Sequence, residues 1–223
     1  MILVFDLDDT LYDELSYVKS GFNAVAEWLF LKFGIDKDLS IKTMLAELAS
    51  SGRGRIFDSV LNTNGIYSLG RLKECIAVYR HHKPAIVLTK DAKDCLNRFS
   101  GFSMYIVTDG NKIVQYNKIV ALGLNKLQGI KKIFITHRYG VKHSKPSPYC
   151  FQKICKLENT TPANVVYIGD NPAKDFVGLK PLGFKTIRLV GGHHRNVLLD
   201  ENYEAHLNIN SLSELNQKLL ASL

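Results

Sequence analysis

Two aspartates, Asp6 and Asp8, follow a short apolar run, Ile2 to Phe5, in the segment Phe5-Asp6-Leu7-Asp8-Asp9-Thr10-Leu11. Carboxylates at i and i+2 just past a strand can both approach one ligand if the chain turns there. Their mutual repulsion is commonly relieved by a divalent cation. A carboxylate can also attack phosphorus and form an acyl phosphate, which divides one hard displacement into two easier ones. The second acid can then protonate the leaving oxygen and later activate water. Aspartate is equally at home after strands as a turn or capping residue, so the pair alone leaves both readings open.

Three further segments repeat the theme. Ile106-Val107-Thr108-Asp109-Gly110-Asn111 runs from a strand into a turn before a helix. A hydroxyl there, with N–H groups of a helix start, makes a phosphate cradle or an ordinary N-cap. In His143-Ser144-Lys145-Pro146-Ser147-Pro148, flanking prolines would hold Lys145 in an extended loop and then open a helix. Its compact ammonium suits a phosphoryl group, though lysines in such loops are often merely solvated. Val165-Val166-Tyr167-Ile168 is strongly apolar and leads into Gly169-Asp170-Asn171, with Asp175 five residues beyond Asp170. These hard oxygens, joined by Asp6, suit Mg²⁺, although a glycine turn with two solvated acids reads the same way. The combination in one order of acid, hydroxyl, lysine and acid is what chance does not readily supply.

The elements that must carry these residues show two patterns. Ile2–Phe5, Met104–Val107, Ile133–Ile135, Val165–Ile168 and Thr186–Val190 are short apolar runs, with helical segments such as Asn111–Leu122 and Pro148–Leu157 between them. That alternation implies a parallel sheet covered on both faces. Between the first two strands the period is helical throughout. Tyr17, Phe22, Val25, Trp28, Leu29 and Phe33 predict a long helix ending near Gly34, Ile41 to Leu48 a second, and Leu72 to Tyr79 another ending before Pro84. Ser211-Leu212-Ser213-Glu214 has the capping-box pattern and predicts the start of a terminal helix. Ligands of open parallel sheets bind at the carboxyl ends of the strands, so an insertion leaving that edge would sit above the site as a lid.

The four segments together resemble the haloacid dehalogenase-like hydrolase superfamily, whose motifs match Asp6-x-Asp8-x-Thr10, Thr108, Lys145, and Gly169-Asp170 with Asp175. The resemblance spans residue 2 to about 190. It implies an α/β fold, a Rossmann-like doubly wound parallel sheet core (residues 1–12 and 96–223) with an inserted all-helical cap domain (13–95). Asp6 would be the nucleophile and Asp8 the general acid and base. Mg²⁺ would be held by Asp6, the Asp8 backbone carbonyl and Asp170. Thr108, Asp109 and Lys145 would bind the substrate phosphate, and Thr10, Gly169, Asn171 and Asp175 would support the site. Relatives often carry Asn where Asp109 stands, and repulsion from a phosphate dianion would turn that carboxylate away. The implied activity is hydrolysis of small phosphomonoesters, a sugar phosphate among them. Asp8 argues against a dehalogenase, while a phosphomutase and a non-catalytic protein retaining the fold remain as alternatives.

Composition agrees with an ordinary globular protein: 46% hydrophobic and 22% charged residues in 223. No apolar run reaches the roughly 18–20 residues of a membrane span. The N-terminus lacks a basic, cleavable leader, so a cytoplasmic location is expected. Cys75, Cys95, Cys150 and Cys155 have no metal-ligand spacing and read as free thiols. The net charge of +8 comes from dispersed lysines and arginines, which favours attraction of anionic metabolites over nucleic-acid binding. His81-His82 and His193-His194 read as loop residues rather than metal ligands, with His193, His194 and Arg195 available to a site rim. Lys19, Lys32, Lys37 and Lys42 read as surface lysines rather than Schiff-base formers. Tyr12 is close enough to Asp8 in the chain to touch substrate.

Overall fold

The short apolar runs become six strands: β1 (Ile2–Phe5), β2 (Ser103–Thr108), β3 (Ile130–Ile135), β4 (Val165–Gly169), β5 (Lys185–Leu189) and β6 (Leu207–Ile209). In the computed structural model, which describes residues 1–223, they form one sheet in the order β3-β2-β1-β4-β5-β6 with every pairing parallel. β1 and β4 are buried along their whole lengths, which is why they read as unbroken apolar runs rather than alternating ones.

Four helices fill the insertion: α1 (Glu14–Phe33), α2 (Lys37–Ser51), α3 (Ile56–Thr63) and α4 (Leu69–His81). Residues Leu15–Ile86 form one compact unit with its own core, built on Val18, Phe22, Val25, Leu29, Met44, Val60, Leu61 and Cys75. Gly34, at φ 70°, follows the end of α1 in the left-handed conformation that a helix C-terminus favours. The second unit comprises Met1–Glu14 and Val87–Leu223. It adds α5 (Lys90–Arg98), α6 (Lys112–Ala121), α7 (Tyr149–Leu157), α8 (Pro172–Asp175) and α9 (Gln217–Ala221) to the sheet. Alternate sheet residues Ile2, Val4, Tyr105, Val107, Val165 and Tyr167 pack with Phe151 and Ile154 of α7 and with Phe176, Leu179 and Phe184. The intervening Leu3, Phe5, Met104, Ile106, Val166 and Ile168 are equally buried and face the opposite side.

Two sequence expectations change. The helical unit is narrower than 13–95, because α5 buries Ala92, Cys95 and Leu96 and its Arg98 donates to the Leu212 carbonyl within the sheet-bearing unit. The Ser211–Glu214 capping box exists, but it closes a 3₁₀ turn at Leu212–Glu214; the terminal helix α9 starts later, capped by Asn216. No helix is long and apolar enough to cross a membrane.

Candidate active site

Phe5 lies opposite Ile106 on one side and Ile168 on the other. Asp6, Thr108 and Asp170 therefore leave the sheet at one edge, within two residues of the paired positions. The Asp6 N–H donates to the Ile168 carbonyl at 2.8 Å, extending the ladder to the aspartate itself.

Beyond β4, Asn171 caps the short α8 by accepting from the Ala173 N–H, and one helical turn brings Asp175 back to the sheet edge. Its Oδ2 accepts from the Asn171 N–H at 2.9 Å. Gly169 makes this return possible, since a Cβ there would stand 2.6 Å from Asp175 Oδ2. Lys145 arrives on the loop before α7. That loop fits against Gly178, where a Cβ would come 1.8 Å from the Pro146 carbonyl oxygen. The Lys145 ammonium lies 2.9 Å from Asp6 Oδ2 and 2.7 Å from Asp175 Oδ1, and donates to the Tyr167 hydroxyl at 2.8 Å. Tyr167 in turn donates to Asp175 Oδ1 at 3.1 Å.

Carboxylate oxygens of Asp6, Asp170 and Asp175 all lie within 4.8 Å of one another, and all three residues are buried. Burial pushes the Asp6 carboxyl up to about 6 against the opposing pull of Lys145. Burial, then Asp6 and Asp175, push Asp170 up to about 9. Burial disfavours the charge on Lys145, yet Asp175 and Asp6 outweigh it and hold the ammonium well above its ordinary value. A cluster of hard oxygens this costly to ionise fits a divalent cation such as Mg²⁺, whose charge would replace the protons. The Asp8 carboxylate stands outside the cluster. Asp175 enters it by side chain, although the sequence pattern assigned it a supporting place.

Asp8 turns instead toward Tyr12, Gln115 and Lys118, within 2.5–2.9 Å of all three. Burial favours its neutral form, but Lys118, aided by hydrogen bonds from Lys118, Tyr12 and Gln115, outweighs it and holds the carboxyl below its usual range. Thr108 is fully buried, and its Oγ1 accepts from Gln115 Nε2. The Asp109 carboxylate accepts from Thr136 Oγ1 at 2.7 Å and from the Lys145 backbone N–H at 3.2 Å, so it braces the lysine loop instead of facing a phosphate. Thr10 is buried with its hydroxyl unpartnered. Asp9, in left-handed conformation at φ 51°, accepts from the Glu14 and His193 N–H groups and ties two loops together.

Gln115, Lys118 and Tyr167 were not singled out in the sequence, and Tyr12 only for its proximity. The available signal was polar residues on otherwise apolar faces: Gln115 and Lys118 three apart on α6, and Tyr167 inside an apolar strand. Neither histidine pair joins a metal cluster; His82 Nδ1 meets the Tyr79 carbonyl instead. Lys32 and Lys37 pair with Glu74 and Glu27.

The family model of the haloacid dehalogenase-like hydrolases matches residues 1–183. A protein of Pyrococcus furiosus named glyceraldehyde 3-phosphate phosphatase is 28% identical over 221 residues, covering 96% of this chain and 90% of its own. One of the same name from Methanopyrus kandleri is 27% identical, covering 87% of this chain and 86% of its own. The crystal structure of a 2-haloacid dehalogenase from Pseudomonas syringae pv. Tomato shares the fold, with a TM-score of 0.67 at 20% identity over 99% of this chain and 98% of that one. With the matched region reaching from β1 through the loop beyond Asp175, this chain belongs to the haloacid dehalogenase-like hydrolase family.

Proposed function

We propose that this chain is a Mg²⁺-dependent phosphatase of small sugar phosphates that works through an aspartyl-phosphate on Asp6. The observation that carries the reading is the convergence of Asp6, Lys145, Asp170 and Asp175 at one sheet edge, with Thr108 and Asp8 beside them. Asp6 and Asp170, with the Asp8 backbone carbonyl, would hold the metal. Bound there, Mg²⁺ supplies charge stabilisation for the phosphoryl oxygens.

In the first half-reaction an Asp6 oxygen bonds to phosphorus. The ester P–O bond breaks and its electron pair stays on the leaving oxygen, which takes a proton from Asp8. In the second, water attacks phosphorus, Asp8 accepts its proton, and the bond from phosphorus to Asp6 breaks to release phosphate. Lys145 offsets the phosphoryl charge and orients Asp6, while Tyr167 and Asp109 keep the lysine in place. Thr108 receives one of the non-reacting oxygens, while Asn111 caps the start of α6. The helical unit Leu15–Ile86 is the cap that selects the substrate. A triose or similar sugar phosphate is favoured by the names of the relatives that match over most of the chain. The four free cysteines fit a reducing, cytoplasmic setting.

The test is phosphate release from a panel of sugar and triose phosphates with Mg²⁺, beside an Asp6→Asn control and EDTA treatment. Release that vanishes in the variant and in EDTA, and returns with Mg²⁺, supports the reading. Turnover that persists in Asp6→Asn, or ignores EDTA, overturns it.

A further inference from the structure

Asp8 is held by three donors from two elements. Tyr12 OH donates to Oδ1 at 2.5 Å, and Lys118 Nζ reaches the same oxygen at 2.7 Å. Gln115 Nε2 donates to Oδ2 at 2.9 Å and to Thr108 Oγ1 at 2.5 Å. The Lys118 side chain is only 3% exposed, with its ammonium 3.5 Å from Glu14 and 5.9 Å from the Tyr12 ring centre. Burying an ammonium is costly unless it is paired. Here the burial is matched by pairing with Asp8 and Glu14, which holds the ammonium against the Asp8 carboxylate.

A carboxylate oxygen offers two in-plane lone pairs. On Asp8, Tyr12 and Lys118 occupy both lone pairs of Oδ1, whereas Gln115 occupies one of Oδ2. We propose that Lys118 is a positioning residue for proton transfer: with Tyr12 it saturates Oδ1, so that Oδ2, which Gln115 aligns beside Thr108, is the oxygen through which Asp8 gives and takes the proton when substrate is bound. The inference rests on the phosphatase reading above and assigns that reaction's proton to an atom. As the ester P–O bond breaks, the Oδ2–H bond breaks and the proton passes to the leaving oxygen. As water bonds to phosphorus, Oδ2 receives a proton from it. Lys118 and Tyr12 keep their own protons throughout.

The test compares kcat/KM for two esters whose leaving groups differ in their need for a proton. An alkyl ester such as glycerol phosphate departs as an alkoxide and needs one; 4-nitrophenyl phosphate departs as a stabilised phenolate and does not. Because kcat/KM extends only to the first irreversible step, it reads formation of the aspartyl-phosphate and not its hydrolysis. Lys118→Met should lower kcat/KM for the alkyl ester by about 10²-fold, the usual worth of a placed acid, and change that of the aryl ester by only a few-fold. Lys118→Arg, which keeps a charged donor, should recover most of the loss. Tyr12→Phe removes one hydroxyl and should show the same selectivity more weakly, which keeps the test open if the methionine variant does not fold. Equal losses on both esters, or no loss on either, would overturn the inference. If wild-type turnover survives Asp6→Asn, the phosphatase reading fails first and takes this inference with it.

Discussion

Changing Lys145 to methionine removes the ammonium that touches two of three clustered carboxylates while keeping the length of the side chain. At 2.7 and 2.9 Å, and an effective dielectric near 20, each contact represents about 6 kcal/mol of raw attraction. Most of that offsets the desolvation of the ions, so the net worth of the pairs is far smaller. Leaving buried charges without their partner costs about 3–5 kcal/mol. For a protein of 223 residues, at about 2–4 °C per kcal/mol, Lys145→Met should lower the midpoint of thermal unfolding by about 6–20 °C. Adding Asp175→Asn removes one of the stranded charges and should return about 1–3 kcal/mol, a coupling a double-mutant cycle resolves. The assay is thermal unfolding at pH 8 without divalent metal, followed by circular dichroism. Trp28, the chain's single tryptophan, lies in the helical unit, so its fluorescence reports that unit separately and should shift less. A Lys145→Met protein that melts within about 2 °C of wild type, or a double variant no better than the single, would refute the reasoning.

Acidity and metal should trade places in the same cluster. Burial raises the Asp6 carboxyl to about 6 and, with Asp6 and Asp175 beside it, the Asp170 carboxyl to about 9, both above the ordinary 3.8, so the folded state binds more protons across that window. Stability of the metal-free protein should therefore fall as pH rises from about 4 to 9, and Mg²⁺ should raise the melting temperature more at pH 8.5 than at 5.5. A flat melting profile between those pH values, with or without Mg²⁺, would contradict it. Gly169→Ala should cost about 1–3 kcal/mol and reduce kcat, because the new methyl displaces Asp175 from Asn171 and Lys145. Unchanged melting and turnover would show that the close approach is not needed.

What was legible in the sequence was the set of residues whose spacing is local. Asp6 and Asp8 stand directly after an apolar strand, and Gly169, Asp170 and Asp175 share one strand-turn-helix. Side-chain direction was not legible where it depends on distant partners. Asp109 turns toward Thr136 and Lys145, and Asp8 meets residues 107 and 110 positions away. α5 reads as part of the helical block because its sequence is mostly polar; only packing reveals that Ala92, Cys95 and Leu96 belong with the sheet. α3 escaped notice because it is short and lies between Gly52, Gly54 and Gly65, where turn residues mask the period.

The place of β1 at the centre of the sheet also orders events on the ribosome. Both its neighbours, β2 and β4, follow the helical insertion in the chain, so the strand bearing Asp6 is made first and paired late. Leu15–Ile86 is contiguous and built from local helical contacts, and can close while β1 waits. At roughly 5–20 residues per second, the interval between Ile86 and the end of β4 lasts roughly 4–17 s. Through that time Ile2–Phe5 lacks its β4 partner, and until Thr108 is made it lacks β2 as well, which leaves an apolar strand open to mispairing. It is only four residues long, and Asp6, Asp8 and Asp9 follow at once as charged gatekeepers of the kind that discourage strand-to-strand association. The aspartates at the end of β1 thus guard the nascent chain before Lys145 or Asp170 has been synthesised.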